Sequence, residues 1–144
     1  MQNLIKIENP FTKLEGYNCF GCSPTHEHGL KLNFFYNPDE DCVISFLENG
    51  INNEMSGFPN IVHGGIQSLI LDEIMFWIIY HKYKTIAVTA TMNIKFKKPL
   101  RTNEKIIAKG ILKEVLRDKI FKTEGYLLKD NEVLCIAEAT YIKT

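Results

Sequence analysis

The segment Ile61-Val-His-Gly-Gly-Ile-Gln-Ser-Leu-Ile-Leu-Asp-Glu73 holds the residues best suited to chemistry. His63-Gly64-Gly65 stands where a helix would begin. Consecutive glycines cost about 1 kcal/mol each relative to Ala in a helix interior, less at an end. In return they let a ligand reach the unpaired backbone N–H groups of the first turn, which carry the positive end of the helix dipole. Such a pair of donors suits a carbonyl oxygen that gains negative charge. A plain tight turn into a helix would use the same residues.

Asp72 is an acid in an otherwise apolar helix, followed at once by Glu73. At about 100° per residue, Gly64, Ser68 and Asp72 fall within about 80° of one another, and Glu73 points about 100° further round. A carboxylate among Leu69, Met75 and Phe76 has its charged form disfavoured by desolvation unless it is paired, the setting in which acids become bases or nucleophiles. The alternative is a structural acid bonded to a neighbour. Eight residues separate Gly64 from Asp72 by about 12 Å along the axis, too far for one helix to bring both to a single carbonyl group. Two antiparallel copies of the helix across a two-fold axis would set the glycine turn of one beside the acid of the other.

The elements that must position these residues follow from composition and patterning. The chain has 144 residues, 17 Lys+Arg balanced by 17 Asp+Glu, and 45% hydrophobic residues. A chain of this length buries a sizeable core without disulfide or metal staples, so a single domain over residues 1–144 is expected. Zero net charge, with Arg101 and Arg117 the only arginines, argues against nucleic-acid binding. Residues 1–30 read as an irregular lead-in with room for one short helix. Charges interrupt the start too early for a secretory signal, and the uncharged apolar run 74–80 is far short of the ~20 residues a bilayer requires, so a cytoplasmic chain without a membrane span is expected.

Strand-like segments lie at 30–36 and 42–47, then at 86–96, 104–116, 119–128 and 132–142, with a helix over 61–82 between the two groups. The helix is greasy on nearly every side from Ile74 to Ile79, as a buried helix is. In the strand at 86–96, Val88, Ala90, Met92, Ile94 and Phe96 alternate with Thr89, Thr91, Asn93 and Lys95. Short breaks favour antiparallel neighbours, and a lone helix hides among such strands only if the sheet curls around it. One helix face would remain for a partner chain.

His63-Gly64-Gly65 with Asp72 nine residues after the His, followed by Val88-Thr-Ala-Thr-Met-Asn-Ile-Lys-Phe-Lys-Lys-Pro99, resembles the hot-dog-fold acyl-CoA thioesterases of the phenylacetate-pathway and 4-hydroxybenzoyl-CoA type. The likeness covers about residues 28–142, and Cys19-Phe-Gly-Cys22 with His28-Gly-Leu30 is similar to an extension in one branch of these proteins. The resemblance implies an α+β hot-dog fold: a curved antiparallel sheet of five to six strands around one long central helix, in a homodimer or homotetramer. It implies hydrolysis of a small aromatic or short- to medium-chain thioester of coenzyme A or acyl-carrier protein, with no cofactor beyond the coenzyme A of the substrate. The Gly64 N–H would polarise the carbonyl, and Asp72 of the opposite subunit would act as general base or nucleophile. Thr89, or Thr91 if the loop length differs, would lie near the attacking water, and His63 would shape the turn beside Gly65. Some members carry Asn or Gln six residues before the His. Here that residue is Gly57, so Gln67, Ser68 or Asn60 would have to stand in, and a non-catalytic acyl-CoA-binding protein is the alternative.

Other signals carry less. Lys82, Lys84, Lys95, Lys97 and Lys98 are candidates to meet the phosphates of coenzyme A, or form a solvated rim. Trp77, Phe76, Tyr80 and Phe58 would wall an acyl pocket or belong to the core. Cys42 and Cys135 sit in apolar strands and read as packing. Cys19 and Cys22 with His26 and His28 fall outside the usual zinc spacings, and no metal is expected there.

Overall fold

The computed structural model describes residues 3–144, so the first two residues of the expected lead-in lie outside the described residues. Strands β1 (Ile5–Ile7), β2 (Phe34–Asn37) and β3 (Cys42–Leu47) precede helix α1 (Gly64–Tyr83). Strands β4 (Ala87–Phe96), β5 (Ile106–Leu116), β6 (Ile120–Lys129) and β7 (Glu132–Lys143) follow it. All pairings are antiparallel, and the order across the sheet is β1-β2-β3-β5-β6-β7-β4. The hot-dog arrangement expected from the sequence is therefore present, with a seventh strand added by the lead-in. The expected strand at 30–36 is shorter, because residues 30–33 carry the chain across from the lead-in before pairing begins at Phe34.

Tight turns of three and two residues close the β5–β6 and β6–β7 hairpins. Arg117 and Asp118, then Asp130 and Asn131, all have positive φ, the geometry whose twist matches that of the strands they join. Helix α1 starts at His63, whose Nδ1 accepts the Gly65 N–H at 2.8 Å. It ends at Lys84 in the left-handed conformation, with the Lys84 N–H on the Tyr80 carbonyl at 2.8 Å. Ile70, Leu71, Ile74, Met75, Trp77, Ile78 and Ile79 are fully buried against the sheet.

The close seating of helix on sheet has a sequence cause. Gly110 on β5 and Gly125 on β6 are paired residues, and together they form a saddle under the middle of the helix. A Cβ at Gly110 would lie 2.4 Å from the Ile74 carbonyl oxygen, and one at Gly125 would lie 3.1–3.3 Å from Met75 and Leu71.

The lead-in is irregular but well packed. Asn9 caps a 3-10 turn at Pro10–Lys13, and Phe11 inserts among Phe76, Trp77 and Tyr80 at ring distances of 5.0–6.2 Å. It thus covers the C-terminal half of the helix face left free by the sheet. No described helix is long and apolar enough to cross a membrane.

Candidate active site

Asp72 lies midway along α1 at the wall of a cleft of about 450 Å³ that Thr89, Tyr141, Phe76 and Glu73 also line. Its Oδ1 accepts the Thr89 hydroxyl at 2.7 Å and the Tyr141 hydroxyl at 2.6 Å, and Tyr141 also reaches the Asp72 carbonyl oxygen at 2.9 Å. Its Oδ2 accepts no hydrogen bond among the described residues. Burial first, then the charge of Asp72, push the Tyr141 phenol far above its ordinary range, so it stays protonated and donates. Sequence reasoning missed Tyr141, which is 69 residues from Asp72. Only strand register reveals it, because β7 places Tyr141 directly opposite Thr89.

The same register decides between Thr89 and Thr91. Thr89 pairs with Tyr141 and Thr91 with Thr140, so Ala90 is an extra residue in β4, a bulge. The bulge reverses the facing of side chains on either side of it. Ala87 and Thr89 precede it toward the helix, and Met92 and Ile94 continue that face after it. Thr91 lines a different hollow on the outer face of the sheet. The strict alternation read from the sequence fails here, and Val88 is 54% exposed.

At the N-terminus of α1 the two glycines differ. The Gly65 N–H is taken by His63 Nδ1, so the expected pair of donors reduces to one, because the histidine caps the turn itself. The Gly64 N–H has no partner among the described residues. Gly64 lies against the ring of Phe96 and lines a second hollow of about 350 Å³ with Gln67, Lys97 and Lys98. Ser68 turns inward, its hydroxyl donating to the Gly64 carbonyl at 2.8 Å. Gln67 is 4% exposed; its Nε2 donates to the Val62 carbonyl at 3.0 Å, and its Oε1 has no partner. Asn60 is exposed in the preceding loop in the left-handed conformation, its carbonyl accepting the Thr102 N–H. Within one chain, then, Asp72 with Thr89 lines one hollow, and Gly64 with Gln67 lines another.

The aromatic and cationic candidates divide as well. Trp77 is core, stacked on Phe34 at 5.1 Å, whereas Phe76 lines the Asp72 cleft and Phe58 is 78% exposed on the loop before α1. Lys82 is bound to Asp41 at 2.6 Å and Lys84 lies 5.5 Å over the Tyr80 ring, both at the far end of the helix. Lys98 pairs with Glu132, and Lys95 is exposed on β4.

The chain is similar in sequence and in fold to known proteins. The family model of the Thioesterase superfamily matches residues 59–124, which hold the His63 turn, Asp72 and Thr89. The chain is thus similar to the hot-dog thioesterases in fold and, over residues 59–124, in sequence. Acyl-coenzyme A thioesterase THEM4 of Rattus norvegicus is 27% identical over 116 residues, 80% of this chain and 49% of that protein. Its counterpart in Mus musculus is 28% identical over 93 residues, 65% of this chain and 39% of that protein. The chain thus spans half or less of the curated relatives it matches.

Among solved structures, the thioesterase superfamily protein RHA08564 superposes with a TM-score of 0.77 at 19% identity, over 86% of this chain and 59% of that one. A phenylacetic acid degradation-related protein of Ralstonia eutropha gives 0.71 at 17% identity, over 85% and 92%. The smu.793 protein of Streptococcus mutans, solved bound to acetyl CoA, gives 0.64 at 17%, over 72% and 82%.

Proposed function

We propose that the protein hydrolyses acyl-CoA thioesters, with Asp72 of one subunit acting on a carbonyl group held at the Gly64 turn of another. The observation that carries this reading is the state of the Asp72 carboxylate. Its Oδ1 is anchored by two hydroxyls, while Oδ2 stays unengaged at the wall of a cleft. A carboxylate fixed in this way keeps one oxygen for water or for the carbonyl carbon. The rat and mouse relatives are named acyl-CoA thioesterases, and neighbours from Streptococcus mutans and Streptococcus pneumoniae were solved with acetyl CoA and coenzyme A.

As a base, Asp72 takes a proton from water while the oxygen adds to the thioester carbon. The carbonyl electron pair moves onto its oxygen, which the Gly64 N–H stabilises at the positive end of the helix. Collapse of the tetrahedral adduct expels the thiolate, which recovers the proton from Asp72. As a nucleophile, Oδ2 would instead form a mixed anhydride that water then opens. A thioester suits so lightly equipped a site, because its thiolate leaves without a strong acid. Lys97 and Lys98, beside Gly64, are the cations best placed to meet the phosphates of coenzyme A. A small aromatic or short- to medium-chain acyl group, carried by coenzyme A or by an acyl-carrier protein, completes the substrate class. We put the protein in the cytoplasm, where free thiols such as its four cysteines stay reduced.

The test is Asp72→Asn, read by thiol release from an acyl-CoA panel. Turnover should fall by ~10²–10⁴-fold with the fold retained; undiminished turnover would remove Asp72 from the mechanism.

Gly57 favours a second reading, a non-catalytic acyl-CoA-binding protein. A Cβ there would lie 3.6 Å from His63, so the position borders the glycine turn yet offers no polar group. Acyl-CoA binding without thiol release in the wild type, with turnover appearing in Gly57→Asn, would support this alternative.

A further inference from the structure

Beside Asp72 lies a second cluster that the hydrolytic reading does not use. Cys19 and Cys22 come from the lead-in turn, and Glu73 comes from the helix. The Cys22 thiol donates to Cys19 Sγ at 3.1 Å, and Cys19 Sγ lies 3.0 Å from Glu73 Oε1. The three donor atoms all fall within 4.8 Å of one another. The histidines weighed with these cysteines in the sequence point elsewhere: His26 Nδ1 accepts the His28 N–H at 3.1 Å, and the His26 ring packs on Phe20.

We propose that Cys19 Sγ, Cys22 Sγ and Glu73 Oε1 bind one zinc-class divalent cation, clamping the Cys19–Cys22 turn onto α1. Two thiolates and one carboxylate form a donor set suited to a borderline-soft ion, and three protein ligands leave a fourth position for water or another small ligand. Metal–ligand bonds of about 2.0–2.3 Å require the donors to spread by only about half an ångström from their hydrogen-bonded spacing.

The surroundings are built for such a centre. The Trp77 Nε1–H donates to Glu73 Oε2 at 3.2 Å, fixing the carboxylate so that Oε1 faces the sulfurs, an outer-shell contact of the kind that orients metal ligands. The Cys22 N–H lies 3.4 Å from Cys19 Sγ, where it would stabilise thiolate charge. The Tyr17 hydroxyl contacts Cys22 Sγ at 2.9 Å and is itself held by Asn9. Glycine at position 21 leaves room for this carboxylate, since a Cβ there would meet Glu73 Oε1 at 2.5 Å and displace the side chain.

Without a cation, burial and the nearby Glu73 charge hold the Cys22 thiol well above its usual range, so three negative charges do not accumulate. Binding the ion displaces both thiol protons to water. Cys19, Cys22 and Glu73 line the same cleft as Asp72, so the fourth position belongs to that cleft. This departs from the sequence expectation of no metal. It does not depend on the thioesterase reading.

The test uses the full chain, purified without added metal and kept reduced with a phosphine. We expect about one zinc per chain by elemental analysis, and a thiolate-to-cobalt charge-transfer band after exchange with Co²⁺. Cys19→Ser/Cys22→Ser should lose both signals, Cys135→Ala should keep them, and Glu73→Gln should weaken retention roughly tenfold or more in a chelator competition. Chelation of the wild type, which needs no substitution, should lower its thermal midpoint but leave that of the double variant unchanged. Wild-type protein with neither zinc nor a cobalt band, or zinc retained equally by the double variant, would overturn the site. Neither result would touch the Asp72→Asn test.

Discussion

The orientation of Asp72 rests on two hydroxyls that reach it from different strands. Removing either leaves the carboxylate in place but free to turn, and a hydrogen bond to a charged group contributes about 1.5–3 kcal/mol. Thr89→Val and Tyr141→Phe should each lower kcat by roughly tenfold or more, with smaller changes in KM, while Thr91→Val should leave both near the wild-type values. Steady-state kinetics on one acyl-CoA distinguishes these outcomes, and equal effects at Thr89 and Thr91 would contradict the role given to the bulge at Ala90. His63 has a different part. With its Nδ1 on the Gly65 N–H it shapes the turn and leaves the Gly64 N–H as the free donor.

The helix reaches the sheet at backbone distance where Gly110 and Gly125 pair. An added methyl at Gly110 meets the Ile74 carbonyl at 2.4 Å, and a backbone group inside a long buried helix has little room to yield. Overpacking of this kind costs about 1–3 kcal/mol. Gly110→Ala should therefore lower the unfolding free energy measured by urea titration by an amount in that range. Gly57→Ala, whose nearest neighbour is 3.6 Å away, should stay within about 0.5 kcal/mol of wild type. If the two substitutions proved equally mild, the saddle would not be what seats the helix.

At the scale of the whole molecule, β4 ends the sheet with ten residues whose outer edge is unpaired among the described residues, and Val88 and Phe96 on it and Ile86 before it are exposed. Long edges with apolar neighbours are normally covered. A second copy added antiparallel along β4 would bring the Gly64 turn of each chain toward Asp72 of the other, joining two hollows that are separate in one chain. Subunit mixing tests the idea. Gly64→Pro removes the free N–H at a position where proline is tolerated, since His63 already has the extended ψ of 136° that precedes proline. Gly64→Pro and Asp72→Asn should each be nearly inactive alone. Refolded together, they should recover about a quarter of wild-type turnover, because random pairing gives half heterodimers with one intact site each. No recovery from folded heterodimers would mean that each site is built within a single chain.

Much of this architecture is written in local pattern. The apolar helix with its double glycine, the turns at Arg117-Asp118 and Asp130-Asn131, and the spacing from Gly64 to Asp72 were legible because helix period, positive-φ turns and rise per residue depend on neighbours in sequence. What stayed hidden depends on which distant segments meet. Tyr141 joined Asp72 only through the β4–β7 register, and one extra residue at Ala90 chose Thr89 over Thr91 by turning the strand over. Glu73 met Cys19 and Cys22 because the lead-in folds back across α1, with Phe11 among its aromatic rings. No local propensity encodes such meetings, which follow from packing the whole chain around one buried helix.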